Sequence, residues 1–304
     1  MGALRDALEP PPPIAIISFD RPEYFAPVLA SLRAQVTPIA DERVHLFQDG
    51  AVSCYSGRRH GEDAAIERCV ALFREVFPGG TVHWSPWNIG IAENVLRAER
   101  FLFEELDAPV AFFFEDDLEL APHYVDALAT IWDVVRDEPR IGYFNAMGPH
   151  TASLRDQAKV SRTLVRMHHH WGFGLRADHW RRIAPRMAQF DDLVIGRDYR
   201  TRSLPEIRAL FRSWGVPVLA TSQDAAKEAA TLAEGCWKVA SGPCLGRYLG
   251  EHGVHANAAG FAQERWVETN LWCEPLPRPE LPTPGAIDRA VAEAIALCRQ
   301  VASA

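Results

Sequence analysis

Residues 112–117 read Phe-Phe-Phe-Glu-Asp-Asp, an apolar run that ends in three adjacent acids, Glu115, Asp116 and Asp117. Adjacent carboxylates repel one another unless a cation sits among them. A hard divalent ion held by one or two carboxylates plus the phosphates of a ligand is the usual arrangement. Strand alternation places Glu115 and Asp117 on one side and Asp116 on the other. The competing reading is a solvated acidic turn that caps the next helix.

Other polar residues sit at similar places. Ser18, Asp20 and Arg21 lie at the end of an apolar run at 14–19, with Pro22 suited to a first helical position. Asp49 precedes Gly50 after a second apolar run. In Asn88-Ile89-Gly90-Ile91-Ala92-Glu93-Asn94, Gly90 can bring backbone close to a ligand and Asn94 can offer an amide; a loop with a helix cap is the alternative. Asp191, Asp192, Asp198 and Asp224 are acids of the second half that could each be a solvated helix cap. Arg247, His252 and His255 suit a diphosphate or its metal. They lie in the glycine-rich stretch 242–260, expected to be a loop that closes over a ligand. In His168-His169-His170, only the first and third could share a strand face. Trp171 and Trp180 could pack under a sugar or simply fill core.

Short buried strands must position these residues. Apolar runs at 14–19, 44–47, 81–84, 110–114 and 141–144 alternate with helical patterns at 62–77, 92–106 and 122–136. A further helix opens at Arg21-Pro22, with Phe25, Val28, Leu29 and Leu32 on its core face. In the helix over 92–106, Val95, Ala98, Leu102 and Leu106 point inward. This alternation implies an α/β fold with a mostly parallel, Rossmann-like sheet and helices on both faces. Ligands then bind beyond the carboxyl ends of the strands, where the polar residues above converge. Residues 1–13 form a proline-rich leader, 14–148 the strand-rich half, and 149–304 a second half of different texture ending in a helix over 288–302.

Ser-Phe-Asp-Arg-Pro, Asp49-Gly50, Asn88-Ile89-Gly90 and Phe114-Glu115-Asp116-Asp117-Leu118-Glu119-Leu120-Ala121-Pro122 occur in the order seen in GT-A-fold glycosyltransferases. The acid triplet with its trailing Leu-Glu-Leu-Ala-Pro resembles the N-acetylglucosaminyltransferase I type. The resemblance continues through Trp171-Gly172-Phe173-Gly174-Leu175, Trp180, Asp198-Tyr199 and Gly253-Val254-His255. It implies a GT-A domain whose first half binds a UDP- or GDP-sugar and whose second half binds a glycan or lipid-linked glycan. It also implies a hexosyl- or N-acetylhexosaminyl-transferase that inverts configuration and uses manganese or magnesium. Asp117 and His255 would bind the metal. Glu115 and Asp116 would contact donor sugar and ribose, while Asp49 and Ser18 to Arg21 would hold base and ribose. Trp171, Gly172 and Gly174 would line the donor sugar, with Asn88, Gly90, Asn94 and Arg247 completing the donor site and Asp198 as the first choice of general base, with Asp224, Asp191 and Asp192 as rivals.

The bulk numbers narrow the alternatives. A chain of 304 residues with net charge −8 has no overall field for collecting nucleic-acid phosphates. Its six cysteines form no C-x-x-C pair, so a zinc ribbon is not expected. No apolar stretch approaches the ~20 residues of a membrane span. The expectation is a bacterial, cytoplasmic enzyme of polysaccharide biosynthesis with at most peripheral membrane contact. A sugar-1-phosphate nucleotidyltransferase is disfavoured, because the turn after the first strand lacks a glycine-rich loop. An inactive glycan-binding protein of the same fold is disfavoured by the intact acids.

Overall fold

The structure, a computed structural model, describes residues 11–251 and 258–303. The strands are β1 (Ile14–Ser18), β2 (Val44–Gln48), β3 (Thr81–Trp84), β4 (Val110–Glu115), β5 (Leu118–Leu120), β6 (Ile141–Asn145), β7 (Leu164–Arg166), β8 (Phe173–Arg176), β9 (Trp237–Ser241) and β10 (Gly246–Tyr248). The helices are α1 (Pro22–Arg33), α2 (Asp63–Val76), α3 (Ile91–Arg100), α4 (Tyr124–Val135), α5 (Leu154–Lys159), α6 (Ala177–Val194), α7 (Leu204–Ser213), α8 (Gln223–Ala233), α9 (Ala258–Gln263) and α10 (Pro284–Ser303).

Among the described residues, eight strands form one sheet in the order β3-β2-β1-β4-β8-β6-β9-β7, and β10 pairs with β5 in a separate two-stranded ribbon. The pairs β3-β2, β2-β1, β1-β4 and β6-β9 are parallel, and β8 runs antiparallel between β4 and β6. The fold is therefore the expected α/β class with a largely parallel sheet. All five residues of β1, β2, β6 and β9 are buried, so both faces of these strands are covered. Covered faces are why β1, β2 and β6 read as mostly apolar runs and not as alternation. Helix α1 opens with Pro22 and buries Phe25, Val28, Leu29 and Leu32 at helical spacing. The parallel strands deliver their carboxyl ends to one rim. Because β8 runs the other way, its amino end reaches that rim too.

Three expectations change. The helix over 92–106 stops at Arg100 and continues as a π-helical turn, Phe101–Glu105, which leaves Leu106 43% exposed and not inward. The stretch 242–260 is not all loop, since it supplies β10 and opens α9. The terminal helix begins at Pro284, one turn before the expected start.

Gly174 shows how β8 fits into the sheet. It pairs with Phe112 on one side and Phe144 on the other. A Cβ there would lie 2.2 Å from the Phe144 ring, so this glycine is demanded by packing, away from any ligand surface. Gly174→Ala should lower stability by about 1–3 kcal/mol, the scale of overpacking a core. Urea unfolding reads this directly, and an unchanged midpoint would show that the Phe144 ring yields freely.

Candidate active site

The rim is built around the acids. Strand β4 ends at Glu115 and the chain bends before β5, so the alternation expected for 115–117 does not hold. Asp116 and Asp117 instead converge on one guanidinium, that of Arg21 just before α1. Arg21 Nη2 donates to Asp116 Oδ1, and Arg21 Nη1 lies 3.0 Å from Asp117 Oδ2. The Asp116 and Asp117 side chains are 5% and 3% exposed. Burial, then the charge of Asp116, raises the Asp117 carboxyl to about 6 against the pull of Arg21. Burial raises Glu115 further above the carboxylate range, and the charge acting most on it is Asp224. Asp20 is raised by burial and by Asp116. Ser18 is buried at the end of β1, beside Cys69.

The β5-β10 ribbon supports the acids from above. Leu249 donates its backbone N–H to the Asp117 carbonyl at 2.8 Å, and the Tyr248 hydroxyl hydrogen-bonds the Asp117 side chain. Tyr248 stacks on Trp171 at 4.0 Å, and Trp171 stacks on His169 at 4.2 Å, which makes a three-ring pile at the amino end of β8. Gly172 adopts φ +52°, and its carbonyl accepts the Tyr124 hydroxyl at 2.6 Å. Arg247, next to Tyr248, alternates to the other face of the ribbon and pairs with Glu119 at 3.0 Å.

Asp49 organises the neighbouring loop. Its carboxylate accepts the backbone N–H of Gly50, Ile89 and Gly90 and the side-chain amide of Asn88, at 2.9 to 3.0 Å. Gly90, at φ +81°, caps α3. Asn94 is buried, with its amide given to the Phe47 carbonyl and its oxygen accepting from Arg97. Asp49, Asn88 and Asn94 thus hold the loop and the helix start in place, and Asn94 faces the core.

The two candidate bases occupy different settings. Asp198 accepts from the Ser53 and Ser56 hydroxyls and lies 3.5 Å from His60 Nε2, and these hydrogen bonds lower its pKa. It fastens the 53–60 loop. Asp224, in the first turn of α8, accepts from Gln223 Nε2 at 2.6 Å, and burial raises its pKa against Lys227 and Lys238. Asp191 is raised to about 6 by burial and then by Glu99. His170 is buried and held neutral by that burial, while His169 belongs to the aromatic pile. His252 and His255 lie outside the described residues.

The acids fit a divalent cation. Asp117 Oδ1 is buried and has no hydrogen-bond partner, near Glu115, whose pKa is also raised. Among the described residues no group of three or more His, Cys, Asp or Glu gathers at a metal position. The protein would therefore supply one or two carboxylates and the ligand the remaining oxygens, as magnesium-type ions accept. Sequence reasoning missed Tyr248, Ser53 and Ser56. Their partners lie far away in the chain, and no local pattern announces them.

No protein-family model matches the chain, and no curated protein sequence matches it. Among solved structures, glucosyl-3-phosphoglycerate synthase from Mycobacterium tuberculosis, in complex with Mn2+, UDP and glucosyl-3-phosphoglycerate, aligns at 15% identity with a TM-score of 0.35. That alignment covers 58% of this chain and 61% of the synthase. An active-site mutant of LgtC aligns at 15% identity with a TM-score of 0.34, covering 62% of this chain and 65% of LgtC. The chain thus spans less than two thirds of either structure, and at such similarity no chemistry carries across.

Asp49→Asn tests the loop-holding role. An amide cannot accept from all four donors, so stability should fall by about 1–3 kcal/mol, the cost of buried groups left unpaired. Urea unfolding measures it, and a loss below about 0.5 kcal/mol, the level of an ordinary surface substitution, would mean the loop stands without Asp49.

Proposed function

We propose that the protein is a GT-A-type glycosyltransferase that moves a sugar from a UDP- or GDP-sugar to a glycan or lipid-linked glycan hydroxyl, with inversion. The carrying observation is the acid triplet at the carboxyl end of β4, with Asp116 and Asp117 buried and Glu115 half-buried, with an unpartnered Asp117 oxygen and with the charge of Asp224 acting on Glu115. Inversion by direct displacement needs one carboxylate near the acceptor hydroxyl and a cationic environment at the leaving diphosphate. Asp224 suits the first role better than Asp198. Burial raises its pKa and so its readiness to take a proton, whereas Asp198 is lowered and already accepts from two hydroxyls.

Asp117, with Asp116 beside it, would hold manganese or magnesium. When bound, the ion neutralises charge on the diphosphate oxygens. Arg21 holds Asp116 and Asp117 in register before ligand arrives, and Glu115 faces the sugar side with Asp224. Asp20, Ser18 and the Asn88–Gly90 loop border the ribose and base. Trp171 and Gly172 wall the sugar, and the Trp171 ring is fixed by its two stacking neighbours. No helix among the described residues is long and apolar enough to cross a membrane.

Incubation with a panel of UDP- and GDP-sugars should show metal-dependent donor hydrolysis with at least one of them. Asp224→Asn should keep donor affinity and lower turnover ~10²-fold or more. The acid limb of the wild-type rate profile should lie above the ordinary aspartate value of about 3.9, because burial holds the proton on Asp224. Hydrolysis of no sugar nucleotide would sink the reading. A dead Asp198→Asn beside an active Asp224→Asn would move the base to Asp198.

A further inference from the structure

Helix α8 carries a row of alternating charge along one side. Asp224, Lys227 and Glu228 stand at helical spacing i, i+3 and i+4, so they share a face of the helix. Lys227 donates to Glu99 Oε1 of α3, and Glu99 Oε2 accepts the Trp180 indole N–H of α6 at 3.2 Å. Glu228 Oε1 accepts from Arg166 Nη2 of β7 at 2.7 Å. Lys227 and Glu99 are each 3% exposed, so their pair is closed to water.

Lys238 of β9 is the cation left over. It is buried, and its Nζ has no hydrogen-bond partner. It stands 3.5 Å from Glu228 Oε2, but Glu228 already serves Arg166. A buried ammonium stays charged only beside an anion, and the acid left over is Asp224. Three cations, Lys227, Arg166 and Lys238, then face three carboxylates, Glu99, Glu228 and Asp224, and the row is neutral only with Asp224 ionised. The strand register agrees. Lys238 pairs with Tyr143 of β6, so both side chains rise from one face of the sheet, and the charge of Asp224 acts on each of them. Asp224 is also faced by Glu115 of β4, which burial holds above the carboxylate range, and by the Tyr199 hydroxyl. Asp191 of α6 faces Glu99 and has Lys227 and Arg100 acting on it. Around Lys238, burial lowers His168, His169 and His170 and raises the Cys298 thiol of α10, so none of these adds charge near neutrality.

We propose, on the reading of Asp224 as general base, that Lys238 is a positioning residue for the transfer: the buried counter-charge that holds Asp224 as a carboxylate. The Lys227–Glu99 bridge complements it by fixing α8 against α3, the helix that opens at Gly90 on the rim. In the transfer, Asp224 takes the proton of the acceptor hydroxyl while that oxygen bonds the anomeric carbon. The bond from that carbon to the diphosphate breaks, and the nucleoside diphosphate leaves with its electron pair. A protonated Asp224 leaves the row with one positive charge in excess, so Lys238 favours loss of the proton to water and restores the base.

The chain has only three lysines, Lys159, Lys227 and Lys238, so carbon-13 labelling at lysine Cε gives three NMR signals, which Lys159→Arg and Lys238→Arg assign. The full chain is titrated with pH, without donor or metal, as wild type and as the isosteric Asp224→Asn. The Lys238 midpoint should fall in Asp224→Asn by about one pH unit or more, the effect of losing a neighbouring opposite charge. Exposed Lys159 should keep its midpoint. In the rate profile, Lys238→Met should move the acid limb upward by a similar amount, because Asp224 then holds its proton more readily, and Lys238→Arg should restore it. A side chain that only fills space would leave the limb in place. An unchanged Lys238 midpoint in Asp224→Asn, or an unmoved acid limb in an active Lys238→Met, would overturn the proposal. The lysine titration uses no sugar nucleotide. A shifted Lys238 midpoint in a protein that hydrolyses no donor would therefore sink the transferase reading and leave the Lys238–Asp224 pairing standing.

Discussion

The structure depends on one arrangement of charge: two buried carboxylates, Asp116 and Asp117, closing on the guanidinium of Arg21. Three adjacent acids at the end of a buried strand would otherwise push one another apart or take up protons. Arginine suits the place because it stays charged when buried and offers several donors in one plane. Desolvation works against the Arg21 charge, but Asp116 and Asp117 more than offset it and raise its pKa. One cation for a triplet still leaves an excess of negative charge. That excess, with the unpartnered Asp117 oxygen, is what supports the proposal that the cluster receives a further cation.

Everything around the cluster keeps it in place. Strand β8 enters antiparallel between β4 and β6, which brings Trp171 and Gly172 to the rim. It can do so because Gly174 leaves room for the Phe144 ring. The β5-β10 ribbon carries Tyr248 over Asp117, and the ring pile with Trp171 and His169 steadies Tyr248 in turn. On the other flank, Asp49 gathers four N–H groups so that the Asn88–Gly90 loop keeps one shape. Rim groups held by their neighbours need little reorganisation on meeting charge, which is the condition for electrostatic catalysis.

Much of this is legible in the sequence, for identifiable reasons. Strands β1, β2, β4 and β6 are mostly apolar runs because both faces are covered, so each can be read to within a residue or two. The acids at 115–117 stand out because a buried strand rarely ends in three charges. Strands β7, β8 and β9 carry no such signal. They are short, and β8 contains Gly174 and Arg176, which read as loop residues until the packing is seen. The turn after Glu115 defeats the alternation argument, since period two holds only while the strand lasts. Asp224 cannot be ranked above Asp198 from sequence, because the difference lies in what each touches. Asp198 meets Ser53 and Ser56 from another loop, and the charge of Asp224 acts on Glu115. By charge alone Arg247 outranks its neighbour Tyr248, since choosing between them requires knowing which face of β10 meets Asp117.

The central claim is that Asp117 receives the cation that holds a nucleoside diphosphate. Calorimetry of UDP and GDP binding, with and without manganese, in wild type and Asp117→Ala tests it most directly. Metal-dependent binding is expected in the wild type and its loss in Asp117→Ala, with thermal stability kept or raised as carboxylate repulsion is relieved. Unchanged manganese-dependent affinity in a folded Asp117→Ala protein would contradict it.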